Sequence, residues 1–182
     1  STDRSDWVAG LYYLNIDNDS ANALKAPPNS IFGVIALPAD VVTIASLETD
    51  SYSVFGQYEY QISDQLTVIA GARLVQEDKD FTGAWGLAPS AGNDQVTTDT
   101  ALLIPNAAGA GDPFFFEDDY SETFWTGKLQ LDYTPSEDLL VYAGVNRGVK
   151  AGGFNAALLG AYLGSGGNAG VPYDEEVLTS YE

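Results

Sequence analysis

The sequence predicts an all-β fold: an antiparallel, up-and-down transmembrane β-barrel portion, with five strands and the start of a sixth. Three observations carry this reading. Apolar residues recur at every second position through several segments, the period of a strand with one apolar face. The connections alternate between short and long, as in barrels with tight turns at one rim and long loops at the other. Aromatic residues gather at both ends of the apolar faces, the pattern of a membrane interface. An aromatic-rich soluble sandwich is the alternative, and the loop asymmetry argues against it.

The first strand, "DWVAGLYYLNID", is short and aromatic. The next, "SYSVFGQYEYQI", sets Tyr52, Val54, Gly56, Tyr58, Tyr60 and Ile62 against Ser51, Ser53, Phe55, Gln57, Glu59 and Gln61. A tight turn at Ser63–Gln65 follows. In "LTVIAGARLVQEDKD" the residues Leu66, Val68, Ala70, Ala72 and Leu74 share a face, and Ile69 and Val75 blur the polar side. "SETFWTGKLQLDYTP" places Trp125, Gly127, Leu129, Leu131 and Tyr133 opposite Thr126, Lys128, Gln130, Asp132 and Thr134. A second tight turn at Pro135–Asp138 leads to Leu139, Val141, Ala143 and Val145, alternating with Leu140, Tyr142, Gly144 and Asn146. "EEVLTSYE" opens a further strand. The connections at 18–49, 80–119 and 151–173 read as long loops, all at one end. Tyr58, Tyr60 and Tyr133 fall near the short turns, and Tyr52 and Trp125 near the loops.

Composition narrows the function. Of 182 residues, 26 are acidic and 7 basic, with no His, for a net charge of −19. Such a surface repels phosphate backbones, so nucleic acid is not an expected partner. With no Cys there is no disulfide framework, thiolate nucleophile or Cys-based zinc site. Without His or Cys, neither a Ser-His nor a Cys-His triad forms within this chain. A carboxylate pair such as Glu117 with Asp119 carries no mark of burial or pairing. No enzymatic activity is expected. No run of about 18 apolar residues encodes a membrane helix; the nearest, Ile31–Leu47, is interrupted by Pro38 and Asp40. Barrel strands never form such runs. The lack of Met and the opening at Ser1 point to a processed or partial chain.

Two hairpins carry a family resemblance. "SYSVFGQYEYQISDQLTVIAGARLVQEDKDF" resembles a barrel hairpin of TonB-dependent outer-membrane receptors, with Val54-Phe55-Gly56-Gln57 before the turn and Gly71-Ala72-Arg73 after it. "FWTGKLQLDYTPSEDLLVYAGVNRGVKAGGFN" is similar to a second hairpin, through Lys128, the Asp132-Tyr133-Thr134-Pro135 turn, Tyr142-Ala143, and Arg147 to Asn155. "YDEEVLTSYE" looks like the acidic segment that opens the family's next strand. Val149 stands where an aromatic is usual, and Asp174-Glu175 where Pro-Glu is. The resemblance implies a bacterial outer-membrane protein that takes up a scarce, large nutrient by energised transport: a ferric siderophore, cobalamin or a glycan. It implies a barrel of about 22 strands with a plugged lumen, of which residues 1–182 form part of one domain. The plug and the TonB-contacting segment are absent from this sequence. The reading from another class is a non-transporting outer-membrane or secreted β-rich binding or adhesion protein, with calcium-linked structure.

Candidate site residues follow. Trp85, Phe114, Phe115, Phe116 and Tyr162 are aromatics suited to stacking on a small to mid-sized ligand. Arg73 and Lys128 are candidates for facing the lumen. "NRGVKAGGFN" lacks the phosphate-loop spacing. Its Arg147 and Lys150 are read as a rim contact with lipid and lipopolysaccharide phosphates. No cofactor is firmly implied. Asp17, Asp19, Glu117, Asp118 and Asp119 are the calcium candidates, because hard oxygen ligands in loops suit that ion.

Overall fold

The computed structural model describes residues 4–25, 39–89, 96–103, 113–155 and 170–182. Six strands form one antiparallel sheet: β1 (Ser5–Lys25), β2 (Ala39–Ser63), β3 (Leu66–Pro89), β4 (Phe114–Ser136), β5 (Leu139–Lys150) and β8 (Glu176–Tyr181). They lie side by side in chain order. Between β5 and β8, the two-residue strands β6 (Gly153–Phe154) and β7 (Pro172–Tyr173) pair as a small hairpin. A short 3-10 turn, Thr100–Leu102, follows β3. No helix among the described residues is long and apolar enough to cross a membrane, which says nothing of a β-barrel. The sheet is open: β1 and β8 are its two edges.

Register assigns every side chain to a face. Trp7, Leu11 and Tyr13 on β1 align through their pairs with Tyr58, Val54 and Tyr52 on β2. The Val54 row continues through Leu74 with Trp125 and the Tyr58 row through Ala70 with Leu129, while the Tyr52 row passes to Gln76 and Thr123 at the edge of the band; the same face then carries Leu66 with Tyr133, Leu129 with Val145 and Tyr133 with Val141. This face is apolar from strand to strand, and its large residues are exposed, Leu11 to 84% and Trp125 to 52%. An exposed apolar face of this extent requires an apolar solvent or partner. From Tyr52 to Ile62 it is ten steps long, about 25 Å in a strand tilted about 45°. Tyr13 stacks on Tyr52 at one limit, with ring centroids 4.9 Å apart, and Tyr58 on Tyr60 at the other, 6.2 Å apart. The opposite face carries Gln57, Arg73, Lys128, Gln130, Asp132 and Asn146. There the Phe55 ring lies over Gly10, where an added Cβ would stand 2.6 Å from it. This is the aromatic cover that barrel glycines attract.

Both tight turns lie at one rim and touch. Thr134 N–H donates to the Gln65 carbonyl at 2.8 Å, and the Gln65 side-chain amide donates to the Pro135 carbonyl at 3.2 Å. At the other rim the structure departs from the expected loops. β1 and β2 stay paired to Lys25 and Asp40, and β3 and β4 to Trp85 and Phe114. Most of 18–49 and much of 80–119 is therefore sheet, which runs well beyond the apolar band. Backbone pairing sustains it there, and two local clusters cover it. Leu103 packs with Val42, Ala84 and Ala88 on the apolar-band side. Phe81, Phe116, Ala45 and Val171 pack together on the polar side.

Candidate functional site

The polar face holds a groove of about 680 Å³ across β1 to β5 and β8. Glycines make it. Gly71 and Gly148 give its floor no side chain, and the Lys128 stem lies over Gly71, 3.5 Å from where a Cβ would be. Arg73 and Lys128 both line it, with Gln57 and Asn146. Arg73 Nε donates to Ser53 Oγ at 3.0 Å, and its guanidinium lies 5.1 Å from the Tyr12 ring centroid. Neither cation forms an ion pair among the described residues. No acid lines the groove, so it is a locally positive patch in a strongly acidic chain. It is suited to carboxylate or other anionic oxygens.

Outward along the same face, Lys79 and Glu77 form an ion pair at 2.5 Å, next to Tyr120 and Glu122. Burial, and then its hydrogen bond to Glu122, push the Tyr120 phenol up to about 12. Beyond these lie the aromatics. Trp85 pairs in register with Phe114, and both pack against the Phe81–Phe116 cluster. The expected aromatic set is therefore divided. Trp85, Phe114 and Phe116 come together on the polar side, with Phe116 buried, whereas Phe115 is exposed on the opposite face. Tyr162 lies outside the described residues.

The expected rim pair also separates, because the two residues stand an odd number of places apart on one strand and so point to opposite faces. Lys150 shares the polar face, where it meets Glu176 at 3.6 Å. Arg147 lies on the apolar face, its guanidinium 4.4 Å from the Trp125 ring centroid and bonded to the Trp125 carbonyl. The calcium candidates are not loop ligands but strand residues. Asp17 and Asp19 stand on β1, separated by two strands from Glu117 and Asp119 on β4, and Asp118 points to the other face. Among the described residues no group of three or more acids is placed to hold a metal ion. Instead Asp17, Glu48, Asp80 and Asp119 form one cross-strand row of exposed carboxylates, just beyond the aromatic limit of the apolar band. In the adjoining row, Ser121 and then Gln76 hydrogen-bond Asp78 and hold its carboxyl below the ordinary value.

The signal missed in the sequence was the hairpin β6–β7 on the polar face. Each of its strands has two residues, too few to show a period.

Comparison with known proteins agrees with this architecture. The crystal structure of the ferric yersiniabactin uptake receptor FyuA from Yersinia pestis superposes with a TM-score of 0.69 at 17% identity, covering 100% of this chain and 23% of that one. The chain thus spans about a quarter of that receptor's length. No curated protein matches the sequence. The family model for the TonB-dependent receptor-like β-barrel matches residues 2–182. That family is one of receptors and not of enzymes. With the model matched along almost its whole length, this chain belongs to the TonB-dependent receptor β-barrel family.

Proposed function

We propose that residues 1–182 form part of the wall of one outer-membrane receptor barrel that takes up a scarce, bulky nutrient by TonB-energised transport. The observation that carries this is the two-faced sheet: a girdled apolar band of membrane height on one side, a positive groove on the other. The apolar side faces lipid and the polar side faces the lumen. Of the ligand classes a ferric siderophore, cobalamin or a glycan, an anionic ferric chelate suits Arg73 and Lys128 best. Those cations also suit carboxylates of a plug domain that fills the lumen. TonB is contacted through a segment this sequence does not include. On the outer side, Arg147 over Trp125 at the aromatic limit is placed to meet a lipid or lipopolysaccharide phosphate.

The test is uptake by cells that carry or lack the full-length receptor gene, in TonB-competent and TonB-deficient backgrounds. Radiolabelled ferric chelates, cobalamin and oligosaccharides are supplied in turn. Receptor- and TonB-dependent uptake of a ferric chelate is expected. Uptake that is unchanged by either deletion for every ligand would sink the proposal.

A further inference from the structure

The hairpin β6–β7 is a strap laid on the lumenal wall, and it is held by two kinds of contact. The first is apolar. Phe154 lies flat against Phe81, with centroids 4.9 Å and planes 16° apart, and edge-on to Phe116 at 6.4 Å. Val171 and Phe81 are each only 1% exposed. The second is polar. Lys79 Nζ donates to the Gly152 carbonyl at 2.6 Å while paired with Glu77. Gly152 N–H donates to Tyr120 Oη at 3.1 Å, and Tyr120 donates in turn to Glu122. Side chains of β3 and β4 thus take both backbone groups of Gly152. The approach is close enough that a Cβ there would stand 2.6 Å from the Tyr173 carbonyl and 2.7 Å from the Tyr120 ring. The strap also closes on itself, Asn155 N–H donating to the Val171 carbonyl at 2.7 Å.

We propose that Lys79 and Tyr120 are positioning residues that hold this strap permanently on the wall, as a fixed part of the ligand vestibule and not a moving gate. Lifting the strap would strip a nearly buried ammonium of its carbonyl partner and bare three phenylalanine rings to water, two penalties that act together. The strap therefore decides what a ligand meets on this side of the lumen. It covers Phe81 and Phe116. It offers Tyr173 in their place, part-exposed, with its ring 5.5 Å from Lys150 Nζ.

This inference rests on the outward, lumen-lining placement proposed above. The experiment uses the full-length receptor in intact cells and a membrane-impermeant maleimide, with single cysteines introduced by Val171→Cys or Asp174→Cys. Asp174 is exposed beside the strap and reports access. Val171→Cys is expected to react far more slowly than Asp174→Cys. Adding Lys79→Met or Tyr120→Phe is expected to raise Val171→Cys reactivity about tenfold or more, the effect of one lost hydrogen bond to a buried group. Adding Lys79→Arg restores slow labelling. Heat-modifiable gel migration shows that each variant has folded, and Tyr120→Phe keeps the ring if the lysine variant does not fold. Val171→Cys reacting as fast as Asp174→Cys would overturn the fixed strap. Unchanged reactivity in both Lys79→Met and Tyr120→Phe would overturn their positioning role. If Asp174→Cys is itself unreactive, the outward orientation of this rim fails instead. The readout is independent of which nutrient is carried.

Discussion

Arg147 lies over Trp125, its guanidinium carbon 4.4 Å from the ring centroid, at the outer limit of the apolar band. A cation on an aromatic face is worth about 0.5–1 kcal/mol at an accessible site. Arg147→Ala in the full receptor is expected to lower stability by that amount. Lys150→Ala, whose pairing with Glu176 is exposed, is expected to change it little. Urea unfolding in lipid vesicles, followed by Trp fluorescence, checks both. Equal losses would contradict the division of these residues between two faces.

Leu129 and Lys128 are adjacent in sequence and point to opposite faces. Leu129 stands midway between Trp125 and Tyr133, the aromatics that bound the apolar face of β4. Leu129→Lys is expected to cost about 2–4 kcal/mol of folding free energy in bilayers, the penalty for a cation at the midplane of a barrel's lipid face. Lys128→Leu is expected to leave folding nearly intact and to lower affinity for an anionic ligand. Folding yield and equilibrium unfolding in vesicles measure the first. If Lys128→Leu proved the more destabilising, the two faces would be assigned the wrong way round.

The row Asp17, Glu48, Asp80 and Asp119 sets like charges directly opposite one another on four strands. Such pairs are destabilising, and salt screens them because they are exposed. Raising the ionic strength from about 0.01 to 0.15 M shortens the screening length from about 30 to 8 Å and is expected to raise the receptor's melting temperature. Asp80→Asn is expected to flatten that dependence. Calcium and sodium chloride at matched ionic strength are expected to act alike. A marked excess effect of calcium would show a site that the strand geometry does not provide.

Gly152 and Gly148 make a matched pair. A Cβ on Gly152 meets backbone and ring atoms under 3.0 Å, whereas one on Gly148 meets nothing within 4 Å. Gly152→Ala is expected to destabilise by about 1–3 kcal/mol, as overpacking does. Gly148→Ala is expected to be neutral. Thermal unfolding of the two variants is the check, and equal melting temperatures would count against the tight seat of the strap.

Much of this was legible in the sequence, for a physical reason. Inside the membrane one face must be apolar throughout, so Tyr52 to Ile62 and Trp125 to Tyr133 alternate cleanly. The turns at Asp64–Gln65 and Glu137–Asp138 fall where polar residues interrupt that alternation. Beyond the aromatic limit the constraint lapses. Water wets both faces, or local clusters cover them, so the strands from Asp17 to Lys25 and from Asp40 to Asp50 lose their period although their pairing continues. Lysine and arginine side chains were visible as cations, but Arg147 and Lys150 could be assigned to faces only through the register with Gly127 and Glu176. The seat of Phe154 on Phe81 joins segments far apart in the chain, and neither segment hints at the other.

The strap also imposes an order of assembly. Each long strand pairs with a neighbour in the chain, so the sheet can grow hairpin by hairpin. The strap is tethered to β5 and β8 but seated on β3 and β4. It has no surface to dock on until that wall stands, and its phenylalanine stays wet until then. A chain stalled during insertion would therefore show the strap to proteases while the hairpins behind it were already protected.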